Sequence, residues 1–382
     1  MTDTSSDAFL SGRGIPVDPH DIETELTRLW GPAAERVGGP SLESPNVTRI
    51  VLANLVFASR MDDAPRLEGV LDTVTARYPC RGIVILRTDD PDRRVSAEVS
   101  ALCHLPAPGL PQVCSERIVL RAGPRAVDLL PGAVRPLLET DLPFVLWWTY
   151  DPRLDEALFR DLAGECSRLI LDLPDPGTDP AALRLGLDPE INVYSRDPAW
   201  FGLARWREMI AQFFDPPCPV ETPAQIDSVS IRAVSPAGDA PPRLAVWLAA
   251  WLAGQLGWQP QGHPDRVGNR LAATFLGPSG PIAVEIVTEA DPAALAPRLN
   301  GATLTARGPD GVATFRLDRP SSHSSEVDVE VVSPMSCSLP RSFLAPELDS
   351  SRRLAYALES ARDDPPFGQA RPHALWLLSQ GR

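Results

Sequence analysis

Between residues 47 and 173 the chain alternates short apolar runs with amphipathic stretches of helical spacing. Nothing else in the sequence limits the fold as strongly. Residues 47–58 (VTRIVLANLVFA), 82–86 (GIVIL), 95–103, 113–120 (VCSERIVL) and 168–173 (RLILDL) read as strands. So does the run inside residues 141–152 (DLPFVLWWTYDP). Residues 64–77 place Leu67, Val70, Leu71 and Val74 on one face of a helix, and residues 153–163 read as a second helix. Residues 126–140 have helical character disturbed by Pro131 and Pro136. Strands alternating with helices of ten to fifteen residues imply β-α-β units. The expectation is therefore an α/β N-terminal domain with a largely parallel, layered sheet.

The texture changes after residue 217. Residues 198–214 (PAWFGLARWREMIAQFF) form the best-signalled helix, with Asp197 as N-cap and Pro198 as first residue. Pro216 and Pro217 end it. Beyond the Pro-rich stretch DPPCPVETP, a strand (226–234) leads into a Trp-rich helix (243–256). Short strands at 271–276, 282–288, 303–306, 312–317 and 327–332 follow, joined by turns such as GPSGP and GPDG. Helices at 350–361 and 372–379 close the chain. This implies an α+β C-terminal domain with a mainly antiparallel sheet. The expected organisation is a flexible tail (1–17), an N-terminal domain (18–217) and a C-terminal domain (224–382).

Charge and residue usage remove whole classes of function. A net charge of −14 opposes binding to nucleic acid or to an anionic membrane surface. All 36 basic residues are arginine, so a P-loop lysine, a Schiff-base lysine and a kinase-type phosphate lysine are excluded. The six cysteines form no C-x-x-C pair, and the five histidines lie far apart with no H-E-x-x-H, so nothing supports a metal site. The polar start lacks an apolar signal core, and the longest apolar run is short for a membrane span. The expectation is a cytoplasmic protein with reduced thiols.

No strand is followed by G-x-G-x-x-G, and G-x-S-x-G is absent. The acidic pairs Asp62-Asp63, Asp89-Asp90 and Asp363-Asp364 fall in turns and read as solvated residues. Cys114 reads as a half-buried strand cysteine, since no histidine stands near it in sequence. What does stand out is tryptophan: seven of the nine lie between residues 147 and 258. Aromatic and arginine side chains anchor many protein interfaces. On that ground Trp147, Trp148, Arg205, Trp206 and Arg207 are the candidate partner-binding residues. In a strand, adjacent Trp147 and Trp148 point to opposite faces.

Six segments in fixed order, VTRIVLANLVFA, ARYPCRGIVIL, QVCSERIVL, LLETDLPFVLWWTYDP, LARWREMIAQFFD and LAVWLAAWLAGQLGW, resemble the glucose-6-phosphate dehydrogenase assembly protein family, OpcA. The likeness is strong over roughly residues 20–260 and holds only in general layout beyond. It implies a non-enzymatic accessory factor whose partner is glucose-6-phosphate dehydrogenase, the entry enzyme of the oxidative pentose phosphate pathway. It implies no cofactor and no catalytic residue. Some photosynthetic members are linked to thiol redox control; the cysteines here suggest no specific pairing. The alternative is a sugar-phosphate or nucleotide-binding protein using arginines such as Arg81, Arg87 and Arg153 at the carboxyl ends of the parallel strands.

Overall fold

The computed structural model describes residues 13–37, 47–104, 112–175, 179–215, 222–238, 240–321, 323–333, 337–360 and 363–379. Most of the expected tail, the GGPSLESPN loop and the centre of DPPCPVETP lie outside these residues. The chain divides into two units. The first holds residues 1–173, 185–196 and 350–358, and the second holds 174–184, 197–349 and 359–382.

The first unit is built on nine strands: β1 (Ile15–Val17), β2 (Val47–Arg49), β3 (Asn54–Arg60), β4 (Arg81–Arg87), β5 (Val95–His104), β6 (Gln112–Ala122), β7 (Phe144–Trp148), β8 (Arg168–Leu171) and β9 (Ser195–Arg196). Its longer helices are α1 (Ile22–Val37), α2 (Ala64–Arg77) and α3 (Glu156–Glu165). The sheet runs β1-β5-β6-β4-β3-β7-β8-β9, with β2 beside β6. From β6 to β9 every pairing is parallel, while β5 and β1 are antiparallel additions. Within the run from β6 to β9 the first strand in sequence, β3, lies at the centre, and later strands are added outward on both sides. This is the doubly wound order of dinucleotide-binding sheets. One departure is that the connection from β4 to β6 runs through a strand, β5, in place of a helix. The central strands are buried on both faces: Leu55–Ala58 of β3 and all of β7 are inaccessible or nearly so, as parallel strands require.

The second unit contains α4 (Ala204–Gln212), β10 (Ile226–Ser235), α5 (Arg243–Gln255), β11 (Gln259–Val267), β12 (Arg270–Gly277), β13 (Gly280–Ala290), β14 (Arg298–Gly308), β15 (Gly311–Asp318), β16 (Glu326–Val332), β17 (Cys337–Leu344) and α6 (Pro365–Leu377). Its sheet runs β11-β12-β13-β10-β14-β15-β16-β17. Only β10 with β13 is parallel: α5 carries the chain from β10 across to β11 at the edge, and β12 and β13 then return by antiparallel turns. The first sheet is thus mostly parallel and the second mostly antiparallel. Helix α5 is apolar nearly all round, since it is covered by the sheet on one side and α6 on the other. Gly254 allows this approach: a Cβ there would sit 2.9 Å from the Gln369 carbonyl carbon.

Several elements are shorter than their pattern suggests. The run at 47–58 is two strands that pair with different neighbours. The stretch 126–140 resolves into one α-turn flanked by 3-10 turns, with Pro131 and Pro136 at the joints. The helix at 198–214 breaks at Gly202-Leu203, leaving a first turn (Pro198–Phe201) and α4.

Candidate functional site

Open α/β sheets bind ligands outside the carboxyl ends of their strands, where the strand order reverses. In the first unit that point lies between the ends of β3 and β7. A nucleotide site would need a glycine-rich turn there, presenting backbone N–H groups to phosphate. The end of β3 and the turn after it instead read Ser59-Arg60-Met61-Asp62-Asp63-Ala64-Pro65, with a proline in the first turn of α2. A phosphate approaching this helix end meets the Asp63 carboxylate.

The arginines at this edge are already engaged. Arg66 grips Asp63 through two bonds of 2.8 and 2.7 Å and reaches Asp172, just past β8, at 3.3 Å. Its guanidinium lies 5.9 Å from the Trp147 ring. The hydrogen bond to Asp63 raises the Arg66 pKa above its ordinary value. At the end of β4, Arg87 donates to Asp155 at 2.7 Å. The same carboxylate oxygen accepts from the Tyr150 hydroxyl at 2.9 Å. Burial first, then Asp155, pushes the Tyr150 phenol well above its usual range. Thr149 donates to Ser59 at 2.8 Å, and Arg153 pairs with Asp151 at 2.6 Å. Carboxylates of the chain therefore stand where a phosphate's oxygens would.

Arg81 is not at this edge. It opens β4 at the amino end of the sheet, 2% exposed, and belongs to a buried charge cluster. Glu116, wholly buried on β6, accepts from Arg81 Nε at 2.7 Å and from Trp30 Nε1 at 2.7 Å. Arg49 Nε stands 2.8 Å from it. Arg81 also donates to Glu23 at 2.6 Å and to the Leu137 carbonyl at 2.8 Å, and lies 2.9 Å from Glu139. The Y-P-C-R and C-S-E motifs meet here, since the backbone N–H of Cys80 donates to Ser115 Oγ at 3.2 Å.

Trp147 and Trp148 do face opposite sides of the sheet, and neither reaches the surface. Trp147 packs edge-on to Phe57 at 5.1 Å; Trp148 packs on Tyr150 at 4.6 Å and on Phe159 of α3 at 5.1 Å. In the second unit Trp206 is buried, with the Arg319 guanidinium 5.6 Å from its ring. Arg207 lies 3.8 Å over the Trp200 ring, and burial lowers its pKa to about 10 against the opposing pull of Asp364. Arg205 projects from α4 with a 62% exposed side chain, paired to Glu208 at 2.7 Å. Trp200 joins Trp247 and Phe367 in one aromatic cluster.

The thiols depart from the fully reduced expectation. Cys103 and Cys114 are directly opposite in the β5–β6 ladder and form a disulfide. Only the register brings them together, so cysteine spacing gave no sign of it. Burial pushes the Cys80 and Cys166 thiols up to about 12. At pH 8 the thiolate fraction of either is then on the order of one in ten thousand. Iodoacetamide applied to the folded chain is expected to leave both unmodified on peptide mapping; alkylation at the rate of an unhindered thiol would contradict this.

Among the described residues, no group of three or more His, Cys, Asp or Glu side chains could hold a metal ion. Among the described residues no helix is long and apolar enough to cross a membrane.

The first unit is thus a doubly wound α/β sheet whose turn after β3 is not glycine-rich, and the second an α+β unit with an open sheet. Residues 71–185 match the family model described as the glucose-6-phosphate dehydrogenase subunit N-terminal domain, and residues 193–371 match the corresponding C-terminal domain. The chain belongs to this family. Two curated cyanobacterial relatives bear the name OxPP cycle protein OpcA. That of Synechococcus elongatus is 32% identical over 50% of this chain and 42% of its own length. That of Nostoc punctiforme is 32% identical over 52% of this chain and 43% of its own. The matched region is therefore less than half the length of these relatives. Among solved structures, a Bacillus subtilis protein named as an oxidoreductase aligns with a TM-score of 0.45 at 10% identity, over 86% of this chain and 96% of its own. One from Erwinia carotovora aligns with a TM-score of 0.43 at 11% identity, over 85% and 98%.

Proposed function

We propose that this chain is a non-enzymatic assembly and activation factor that binds glucose-6-phosphate dehydrogenase in the oxidative pentose phosphate pathway. Family membership supports the pathway and the partner. The observation that carries the non-enzymatic reading is the carboxyl edge of the first sheet. There Asp63, Asp155 and Asp172 hold Arg66 and Arg87 where a dehydrogenase would hold a nucleotide. An activator needs no chemistry of its own. Binding one state of the enzyme more tightly than another shifts the population toward it.

Arg205 is the proposed contact residue among the five candidates. Its pairing with Glu208 is a surface salt bridge worth about 0–1 kcal/mol, so a partner carboxylate can displace it at little cost. Trp206 and Arg207 act indirectly, by fixing α4, and Trp147 and Trp148 act by holding the centre of the first sheet.

Dehydrogenase activity and oligomer mass are to be measured with and without the full chain. The expected results are higher activity, co-elution, and weaker binding by Arg205→Glu. Unchanged activity and no co-elution across a range of concentrations would sink the proposal. Glucose 6-phosphate, 6-phosphogluconate and NADP are each expected to move the melting temperature of the chain alone by less than about 1 °C, as for ligands far below their dissociation constants. A clear shift with one of them would revive the sugar-phosphate or nucleotide-binding reading.

A further inference from the structure

One broad face of the second unit's sheet carries no helix among the described residues. Helix α5 lies on the opposite face, over Val229, Ile231, Val284, Ile286 and Leu304, and α6 packs on α5. The open face is strongly patterned in charge. The strand register lays out one row across it as Ala272, Glu285, Ser230, Thr303, Arg316 and Glu330. The next row is Arg270, Val287, Arg232, Gly301, Asp318 and Asp328. In the second row the arginines lie on the β12–β10 side and the aspartates on the β15–β16 side. Within the chain, Arg232 pairs with Asp318 and Arg270 with Glu285, so these charges are held in the plane of the sheet. Their side chains stay exposed, 42% for Arg232 and 49% for Arg270.

We propose that this face is a self-association surface, on which the same face of a second copy of the chain packs about a two-fold axis. Take the axis parallel to the strands and between β10 and β14. It lays β13 over β15 and β12 over β16 of the second copy. Glu285 then faces Arg316 of the second copy, and Arg270 faces its Asp328. Ser230 faces Thr303, and Arg232 faces Gly301. No like charges meet in either row, and each favourable pair occurs twice, as an isologous contact requires. At the centre Ser230, Thr303 and Gly301 are small, and the Arg232 side chain lies over Gly301, where no side chain opposes it, so two sheets can approach at about the usual 10 Å spacing.

The area is sufficient. Eight strands about 4.8 Å apart, paired over about seven residues of about 3.3 Å each, present on the order of 800 Å². That is about what a standard-size interface buries on each partner. A polar protein surface of another kind would have to reproduce this charge order, whereas a second copy carries it automatically.

Sedimentation equilibrium of the full chain over a wide micromolar range tests the proposal. The expected result is a species of twice the chain mass. Thr303→Arg and Ser230→Arg place a guanidinium at the centre of the face, on the solvent side of the sheet, so the fold is retained; circular dichroism checks this. Each is expected to raise the dissociation constant about a hundredfold or more, because the added charge has no partner in the packed interface. A single-chain mass throughout the range overturns the proposal, as does a dimer unmoved by both folded variants. So does a chain that is monomeric alone and cross-links from Thr303→Cys only to added dehydrogenase, since a different protein would then be the occupant.

Discussion

Replacing Glu116 with alanine is expected to lower the unfolding free energy by about 3–5 kcal/mol, the usual cost of removing one member of a buried ion pair. Three donors converge on this carboxylate: Arg81 Nε, Arg49 Nε and Trp30 Nε1, all within 2.8 Å. Glu116 is wholly buried and the Arg81 side chain is 3% exposed. Without Glu116, the remaining carboxylates for Arg81 are Glu23 and Glu139, which are 49% and 36% exposed and therefore screened by water. Arg49→Ala is the control. Its side chain is 41% exposed, and its loss is expected to cost about 0–1 kcal/mol. Urea titration of both variants decides the matter. If Glu116→Ala falls within about 1 kcal/mol of Arg49→Ala, burial does not set the strength of this cluster.

That cluster also marks where sequence reasoning stops. Helix α2 was legible to the residue, because Leu67, Val70, Leu71 and Val74 repeat at helical spacing and burial follows that spacing. The parallel character of the first sheet was legible too, because β3, β7 and β8 are apolar on both faces. Arg81, by contrast, read as a phosphate ligand at a strand's carboxyl end. Its true partners lie 35 and 58 residues away, at Glu116 and Glu23, and no local period encodes such a pairing. The Cys103–Cys114 bond is hidden for the same reason, since it depends on the β5–β6 register. β11 was missed because QPQGHPDRV has no apolar alternation. It is an exposed edge strand held by its ladder to β12, and an edge tolerates its two prolines. For the candidate residues the sequence shows side-chain type and not exposure. Of Trp147, Trp148, Arg205, Trp206 and Arg207, sequence alone gives no way to tell that Arg205 is the side chain that stands in solvent, because an amphipathic period assigns faces without saying what else covers them.

The same argument in the second unit makes Asp197 the residue whose loss should cost most there. The sequence marks it as an N-cap, and it does accept from the backbone N–H of Ala199 at 2.9 Å. A cap alone is worth about 1 kcal/mol. Asp197 does more: its other oxygen accepts from Arg243 Nε at 2.8 Å and from Trp247 Nε1 at 2.9 Å. Asp197 is wholly buried and the Arg243 side chain is 5% exposed. Asp197→Ala therefore strips a cap, orphans a buried indole N–H and removes the close carboxylate from a buried guanidinium, which also lies 4.0 Å from Asp175 and donates to the Pro174 carbonyl. The expected loss is again about 3–5 kcal/mol, with the charge accounting for most of it. Asp197→Asn separates the contributions, because asparagine caps a helix as well as aspartate but brings no charge to Arg243. It should fall between wild type and alanine, and nearer alanine. Near-ultraviolet circular dichroism should change with it, since Trp247 stacks on Phe367 at 4.8 Å and lies edge-on to Trp200 at 5.9 Å. An asparagine variant as stable as wild type would mean that the cap and the shape of the side chain, not its charge, hold Arg243 and Trp247 in place.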